Sequence, residues 1–258
     1  MGCTRRGGFP LDFLSRGLET ASKNKNDGKM AHYFFAPPQY HSKAFDRQNS
    51  DLTLAALNEA SIATARCVVD VGCGAGQTLR VVEKMNLHGI LVGVDPDQGA
   101  LLSGQPSSTR VHFLKAEGEK LPLADGAVSH AISRVAINYM HQGRALRELC
   151  RVLAPGGWLV MSYHGFGYNL KEAMPLVAGG FRQWLGNVKD LIAGLALQVF
   201  GVQGRRGTFW GRSVPYLSSW RLRRWLPLLN CEIVDQKPEG KFLGFVSTWW
   251  VVIEKKVS

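Results

Sequence analysis

From Cys67 onward, short runs of β-branched and other apolar residues alternate with stretches whose apolar residues recur every three or four positions. Such alternation is typical of a parallel sheet covered by helices on both faces. The pattern predicts five strands, at 67–71, 90–94, 110–115, 127–132 and 157–163. It predicts helices at about 76–86, 97–103 and 142–152, with a break at 155–157 before the fifth strand.

The last part of the chain has a different pattern. Residues 216–228 are predicted to be helical, and 231–236 and 245–256 to form an antiparallel strand pair. Some fifty apolar and basic residues precede that helix, a length more typical of a functional lid than of a plain connection. We therefore expect a seven-stranded, mostly parallel, doubly wound α/β sheet with a C-terminal antiparallel pair and a helical lid at about 165–214.

Apolar residues recur at helical spacing within this lid, and they suit either a hydrophobic acceptor pocket or ordinary core packing. They are Leu170, Met174, Val177, Phe181, Trp184 and Leu185. Pro175 falls inside the run, which argues against one unbroken helix.

Composition and charge narrow the class of protein. Apolar residues make up 45% of the chain, which indicates a globular domain. The formal net charge of +11 suits nucleic acid, a membrane surface or an anionic substrate as partner, and a solvated basic face is the alternative. Five scattered cysteines without a C-x-x-C pair disfavour a disulfide framework and a zinc site, so no metal ligand is assigned. A reducing, cytoplasmic compartment is expected. Residues 1–29 are predicted to be a flexible basic leader to a domain at 30–258.

The strongest chemical signal is VVDVGCGAG at 68–76, where a buried strand runs into a glycine-rich turn and a helix. Glycines permit a positive φ and close approach of a ligand, and a helix start offers free N–H groups. The dinucleotide fingerprint requires a further glycine where Gln77 stands. Asp95 follows Gly76 by 19 residues, a spacing suited to binding both ribose hydroxyls of an adenosine.

The spacing D-x-G-x-G-x-G resembles motif I of the class I methyltransferases that use S-adenosylmethionine (SAM). Two further segments are similar to that family, AEGEKLPLADGAVS at 116–129 and RELCRVLAPGGWLVM at 147–161. The resemblance covers roughly residues 65–163. It implies a Rossmann-like fold, SAM as the cofactor and S-adenosylhomocysteine as its product.

The resemblance also implies roles for individual residues. Gly72, Gly74 and Gly76 would let the loop pass the methionine moiety. Asp70 would organise that loop and face the ammonium group, directly or through water, and Asp95 would hold the ribose. The remaining cofactor residues would be Glu117 toward the adenine amino group, Gly118 toward the adenine ring, and Ser133 at the end of the fourth strand. Ser129 replaces an aspartate of the family, so we expect the fourth strand to be anchored differently.

Methyl transfer from a sulfonium requires alignment and a dry pocket, and it requires a base only if the acceptor must lose a proton. The acceptor should lie beyond the carboxyl ends of the strands. The candidate catalytic residues there are His141, His164 and Tyr168. His164 is the best candidate base, because the reference pKa of histidine is near neutral. The alternative is that it packs beneath the lid.

We expect O-methylation of a small, partly apolar and anionic acceptor, either a natural product or a lipid- or glycan-linked intermediate. The alternatives are a C-methyltransferase for a prenylated quinone-like ring, an RNA methyltransferase, or a catalytically silent SAM-binding scaffold. No RNA-binding module is recognisable, which disfavours nucleic acid. The basic, aromatic segment 205–212 leaves peripheral contact with a membrane open. The oligomeric state is not determined at this level.

Overall fold

A computed structural model describes residues 51–86, 88–104, 110–175, 180–204 and 214–257. Its strands are β1 (Cys67–Val71), β2 (Ile90–Asp95), β3 (Val111–Lys115), β4 (Val128–Arg134), β5 (Leu153–His164), β6 (Cys231–Phe242) and β7 (Phe245–Lys255). They form one seven-stranded sheet in the order β3-β2-β1-β4-β5-β7-β6. The first five strands are parallel, and β7 runs antiparallel to both β5 and β6. The predicted fold class is confirmed.

The helices follow the predicted alternation. They are α1 (Asp51–Glu59), α2 (Gln77–Met85), α3 (Gln98–Gly104), α4 (Gln142–Val152), α5 (Phe166–Glu172), α6 (Phe181–Phe200) and α7 (Ser219–Trp225), with 3₁₀ turns at Ile62–Thr64, Ala136–Tyr139 and Leu226–Leu229. The helix predicted at 216–228 is shorter, because Ser218 caps it by accepting from the backbone N–H of Arg221 at 3.1 Å. Its end tightens into the 3₁₀ turn that contains Pro227.

The sheet is buried on both faces, as a strand buried at every position requires. In β1 all five residues are buried. Val69 belongs to the core cluster that includes Leu146 and Leu149 of α4. Its neighbour Val68 belongs to the opposite cluster, with Leu79 of α2. Alternate residues of one strand therefore hold helices on both sides of the sheet.

The predicted break at 155–157 is wrong, because these residues lie inside β5. Val128 pairs with Leu153 and His130 pairs with Trp158, so the intervening residues form an irregularity in the ladder. Pro155 has no backbone N–H to donate, and Gly156 adopts a φ of +71°, which together explain why regular pairing lapses there.

Ser129 supplies the different anchor expected for the fourth strand. Its Oγ accepts hydrogen bonds from the backbone N–H groups of Arg66 and Cys67, both at 3.1 Å, and donates to the Cys67 carbonyl at 2.9 Å. One hydroxyl thus uses its donor and both lone pairs to fix the start of β1 against β4.

The segment after β5 is helical. The apolar residues predicted at helical spacing do not lie on one unbroken helix, because α5 ends before Pro175 and α6 begins after it. The Trp184 indole N–H donates to the Ala173 carbonyl at 3.1 Å and so joins the two helices. Leu170 and Met174 are half-buried, whereas Phe181 and Leu185 are exposed. The predicted leader at 1–29, Val177 and the basic segment 205–212 lie outside the described residues. None of the described helices is long and apolar enough to cross a bilayer.

Candidate active site

The glycine loop after β1 is held by the end of β2. The backbone N–H groups of Gly72 and Cys73 donate to the Val94 carbonyl at 2.7 and 3.2 Å. The Asp95 carboxylate accepts from the Gly74 N–H at 2.9 Å and from the Asp97 N–H at 2.8 Å. Asp95 therefore positions the loop, a role that sequence reasoning missed. Each of its oxygens keeps a second lone pair for a ligand hydroxyl.

The three glycines of the loop are required for different reasons, although all have a positive φ. A Cβ on Gly72 would lie 2.2 Å from the Ala136 Cβ, and one on Gly76 would lie 2.8 Å from the Phe113 ring. A Cβ on Gly74 would meet only Gln77, at 3.7 Å. Packing within the protein thus requires the outer two glycines, and Gly74 faces open space where a ligand can approach.

Asp70 is a buried carboxyl group at the end of β1. It is 1% exposed, and its Oδ1 has no hydrogen-bond partner among the described residues. Burial raises the pKa of Asp70 to about 7, nearby Asp95 raises it further, and Arg134 lowers it. A buried oxygen without a partner is costly in an isolated chain. Oδ1 of Asp70 is suited to a cationic ligand group, and it therefore fits the ammonium group of SAM.

Ser133 lies near the carboxyl end of β4, the strand that pairs with β1. Its side chain is fully buried, and its Oγ likewise has no partner among the described residues. A second unsatisfied polar atom at the neighbouring strand end is consistent with a polar ligand at this edge of the sheet.

The segment predicted to bind adenine packs beside the same loop. Gly118 is buried, and a Cβ there would lie 2.5 Å from the Met140 sulfur and 3.0 Å from Val71. The same methionine lies close to Gly72, 3.4 Å from the Cβ position. Met140 therefore joins the two segments, and sequence reasoning missed it because a lone methionine carries no motif. Glu117 is exposed.

His141 precedes α4. Its backbone N–H donates to the Glu119 carboxylate at 2.7 Å. Its pKa is lowered, first by burial and then by the charge of Arg144. In the structure this residue ties the start of α4 to the segment after β3.

His164 ends β5 and is 9% exposed. Its ring stacks on that of Tyr168 with centroids 3.6 Å apart and planes 2° from parallel, and its Nδ1 has no hydrogen-bond partner among the described residues. Burial lowers the pKa of His164 to about 4. This pKa lies below the near-neutral reference pKa of histidine, because the ring is withdrawn from water. The imidazole is neutral at physiological pH.

An open groove of about 350 Å³ lies between α5, residues 216–219 and the β6–β7 hairpin. The Leu217 N–H donates to the His164 carbonyl at 3.1 Å, which ties one wall to the end of β5. The Phe166 ring meets those of Tyr216 and Phe245 edge to face. The lining residues are Phe166, Tyr216, Leu217, Ser218, Ser219, Gly244, Phe245, Val246 and Trp249. Sequence reasoning missed the contribution of the β6–β7 hairpin, for which the aromatic run of β7 was the only signal.

Comparison with known proteins agrees with this geometry. Residues 69–161 match the family described as a methyltransferase domain. A malonyl-[acyl-carrier protein] O-methyltransferase of Pseudescherichia vulneris is 35% identical over 47% of this chain and 47% of its own length. A ubiquinone/menaquinone biosynthesis C-methyltransferase of Syntrophotalea carbinolica is 32% identical over 55% and 60%. The chain spans roughly half the length of these curated relatives.

Solved structures show the same fold. A SAM-dependent methyltransferase from Mesorhizobium loti superposes with a TM-score of 0.58 and 18% identity, over 80% of this chain and 99% of that one. A Haloferax volcanii putative methyltransferase in complex with the Trm112 activator gives a TM-score of 0.61 and 15% identity, over 85% and 94%.

The fold and the glycine loop define a Rossmann-like domain that binds an adenosine-containing cofactor. Residues 69–161 match a methyltransferase domain, and the fold is the one that SAM-dependent methyltransferases share. This similarity implies S-adenosylmethionine as the cofactor.

We predict that Asp95→Ala weakens SAM binding at least tenfold by calorimetry. The substitution removes charge-assisted hydrogen bonds worth roughly 1.5–3 kcal/mol each, and it also releases the Gly74 N–H. The matched control is Asp97→Ala. Asp97 caps α3 by accepting from the Gly99 N–H at 2.8 Å, so its loss should cost about 1 kcal/mol of stability and leave SAM affinity within a few-fold. Equal affinities for the two variants would contradict the assignment.

We predict a pH-dependent effect of Asp70→Asn. Because the folded-state pKa of Asp70 is raised from 3.8 to about 7, its ionised form destabilises the fold most above pH 7, and this penalty shrinks as the pH falls toward 4. Without cofactor, the variant should therefore gain more in Tm over the wild type at pH 8 than at pH 5.

The same substitution should weaken SAM binding, because a neutral amide gives the ammonium group no charge partner. Wild-type affinity should rise between pH 5.5 and 7 as Asp70 ionises, and that rise should be absent from the variant. Calorimetry across this range measures both. A variant that binds SAM as tightly as the wild type at pH 7 would remove Asp70 from the cofactor site.

Proposed function

We propose that this protein transfers the methyl group of SAM to an acidic oxygen, a carboxylate or an acidic hydroxyl, of a small, partly apolar acceptor. A natural product or a lipid- or glycan-linked intermediate has this character. The observation that supports the proposal is an apolar groove whose wall residue Leu217 donates its backbone N–H to the carbonyl of buried His164, at the carboxyl end of β5. Acceptors of proteins with open α/β sheets bind at this edge.

SAM, when bound, supplies a methyl group on a sulfonium, which is already activated for transfer. The residues that would hold it are Asp70, through its unpartnered Oδ1, and Gly74, whose open side admits the methionine portion. Asp95 would hold the ribose while it keeps the loop in place. The protein's main contribution is then alignment and exclusion of water.

The character of His164 favours an acidic acceptor. A group whose pKa is about 4 is a weak base at neutral pH and is poorly matched to an alcohol, whose proton is held far more tightly. A carboxylate needs no base, because it has already lost its proton. Neutral His164 would then orient the acceptor by hydrogen bonding, with Tyr168 holding its ring plane. The malonyl-[acyl-carrier protein] O-methyltransferase named above methylates an oxygen.

Helix α6 of the lid packs against one wall of the groove. Gly194 of α6 packs on the Tyr216 ring so closely that a Cβ there would lie 2.3 Å from it. The Gln198 amide donates to the Tyr216 carbonyl at 3.1 Å. Since Tyr216 lines the groove, α6 fixes one wall of the acceptor site. We therefore extend the proposal to the lid at 165–214, as the part of the chain that covers the acceptor.

The decisive experiment uses SAM with a radiolabelled methyl group and two probes, malonyl-acyl-carrier protein and a short-chain prenylated hydroquinone. We expect S-adenosylhomocysteine to form with an acidic acceptor, and the label to be released by mild alkali, as from a methyl ester, or to be found on an ether oxygen. A label on ring carbon would overturn O-methylation in favour of C-methylation. Binding of SAM without turnover on either probe or on a wider panel of acids and phenols would favour a silent scaffold.

We predict that Phe245→Asp abolishes most acceptor turnover while SAM affinity stays within a few-fold. Phe245 lines the groove and is 50% exposed, so a charge there disrupts acceptor binding without a buried-charge penalty. The matched control is Leu243→Asp on the same hairpin, 69% exposed and outside the groove lining. Equal turnover in the two variants would show that the groove does not bind the acceptor.

A further inference from the structure

We infer that the outer face of α6, together with Trp220 and Arg224 beside its C-terminal end, docks on an anionic lipid bilayer. The inference concerns where the protein binds and does not depend on the methyl acceptor.

The outer face of α6 is an uninterrupted apolar stripe. Its residues are spaced alternately four and three apart, so they share one side of the helix. They are Phe181, Leu185, Val188, Ile192, Leu195 and Val199. All except half-buried Val188 are exposed, from 45% for Leu195 to 73% for Phe181. Such a continuous exposed apolar patch marks an interaction surface.

The helix is fixed with this face outward. On its inner side Leu197 is buried and Gly194 lies against Tyr216. The Asn187 amide donates to the Glu172 carbonyl of α5 at 2.7 Å. The 20-residue helix spans roughly 30 Å. The stripe is therefore long, and contacts on the opposite side of the helix hold it in place. It does not need to rotate to become available.

Cations and a tryptophan adjoin the C-terminal end of the stripe. The Arg221 guanidinium donates to the carbonyls of Leu197 and Gln198, and its Cζ lies 5.3 Å from the Trp220 ring centroid. Arg224 lies over the same ring at 4.9 Å. Trp220 is 53% exposed, and Arg224 beside it is also exposed. Exposed tryptophan and arginine next to an apolar stripe are the composition of a helix that lies in a membrane interface.

The charges beside the stripe favour lipid over a second copy of the chain. The charged residues of α6 are Arg182, Lys189 and Asp190, and the acid already contacts Lys189, at 4.0 Å. Because Lys189 is paired with Asp190 and its side chain is only 14% exposed, the exposed cations are Arg182 at the start of the stripe and Arg224 beside its end. An antiparallel pair of two stripes would bring these arginines together. Anionic headgroups match both the cations and the apolar stripe.

The test is flotation of the full chain with vesicles of phosphatidylcholine alone and of phosphatidylcholine with 30% phosphatidylglycerol. We expect binding to the anionic vesicles, weaker binding to neutral ones, and loss of binding on raising the salt concentration. Ile192→Glu should lower the bound fraction at least about fivefold, because it places a charge in the centre of the stripe. The control is Leu102→Glu on α3, at a residue 54% exposed against 48% for Ile192, which should bind as the wild type does.

Circular dichroism and SAM calorimetry on each variant separate a folding defect from a docking defect. Sedimentation on the same samples tests the competing occupant. A wild-type dimer that Ile192→Glu dissociates, without vesicle binding, would overturn the proposal in favour of a second copy. Equal vesicle binding by both glutamate variants, or none by the wild type, would overturn it as well. Vesicle binding by a chain that fails to methylate any acceptor would leave it standing.

Discussion

The cofactor site depends on the pairing between the glycine loop after β1 and the last two residues of β2. The Val94 carbonyl accepts two backbone N–H groups of the loop, and the Asp95 carboxylate accepts a third. These bonds hold the loop in a left-handed conformation that leaves one side of Gly74 open. The carboxylate that can bind ribose is thus the same group that shapes the loop, so cofactor affinity and loop structure are coupled.

The same edge of the sheet gathers polar groups that the protein leaves unsatisfied. Oδ1 of Asp70, Oγ of Ser133 and Nδ1 of His164 are buried and have no partner within the described chain. Because such atoms destabilise a fold, their position at three neighbouring strand ends is informative. The first two suit the charged portion of SAM, and the third lies at the end of the strand whose last carbonyl accepts from Leu217 of the groove wall. A bound ligand at this edge would complete the hydrogen bonding of these atoms.

The lid has two chemically different sides. Its inner side packs small and aromatic residues, Gly194 against Tyr216, and thereby supports the groove. Its outer side carries a long apolar stripe that no described residue of the chain buries. A helix that only closed a pocket would need just the inner side. The proposed docking of the outer stripe on a lipid surface would give the lid a second role, and it would place the acceptor groove near amphipathic substrates.

The sequence by itself determined the sheet, the glycine loop and the candidate ribose acid, because these depend on local periodicity and on short spacings such as the 19 residues from Gly76 to Asp95. Only the tertiary structure decided which glycine faces the ligand, since the steric limits on Gly72 and Gly76 come from Ala136 and Phe113, which are distant in sequence. It also decided the state of His164. The pKa of His164 is lowered by burial. Burial is a property of the packed chain and cannot be deduced from the residues next to His164 in the sequence.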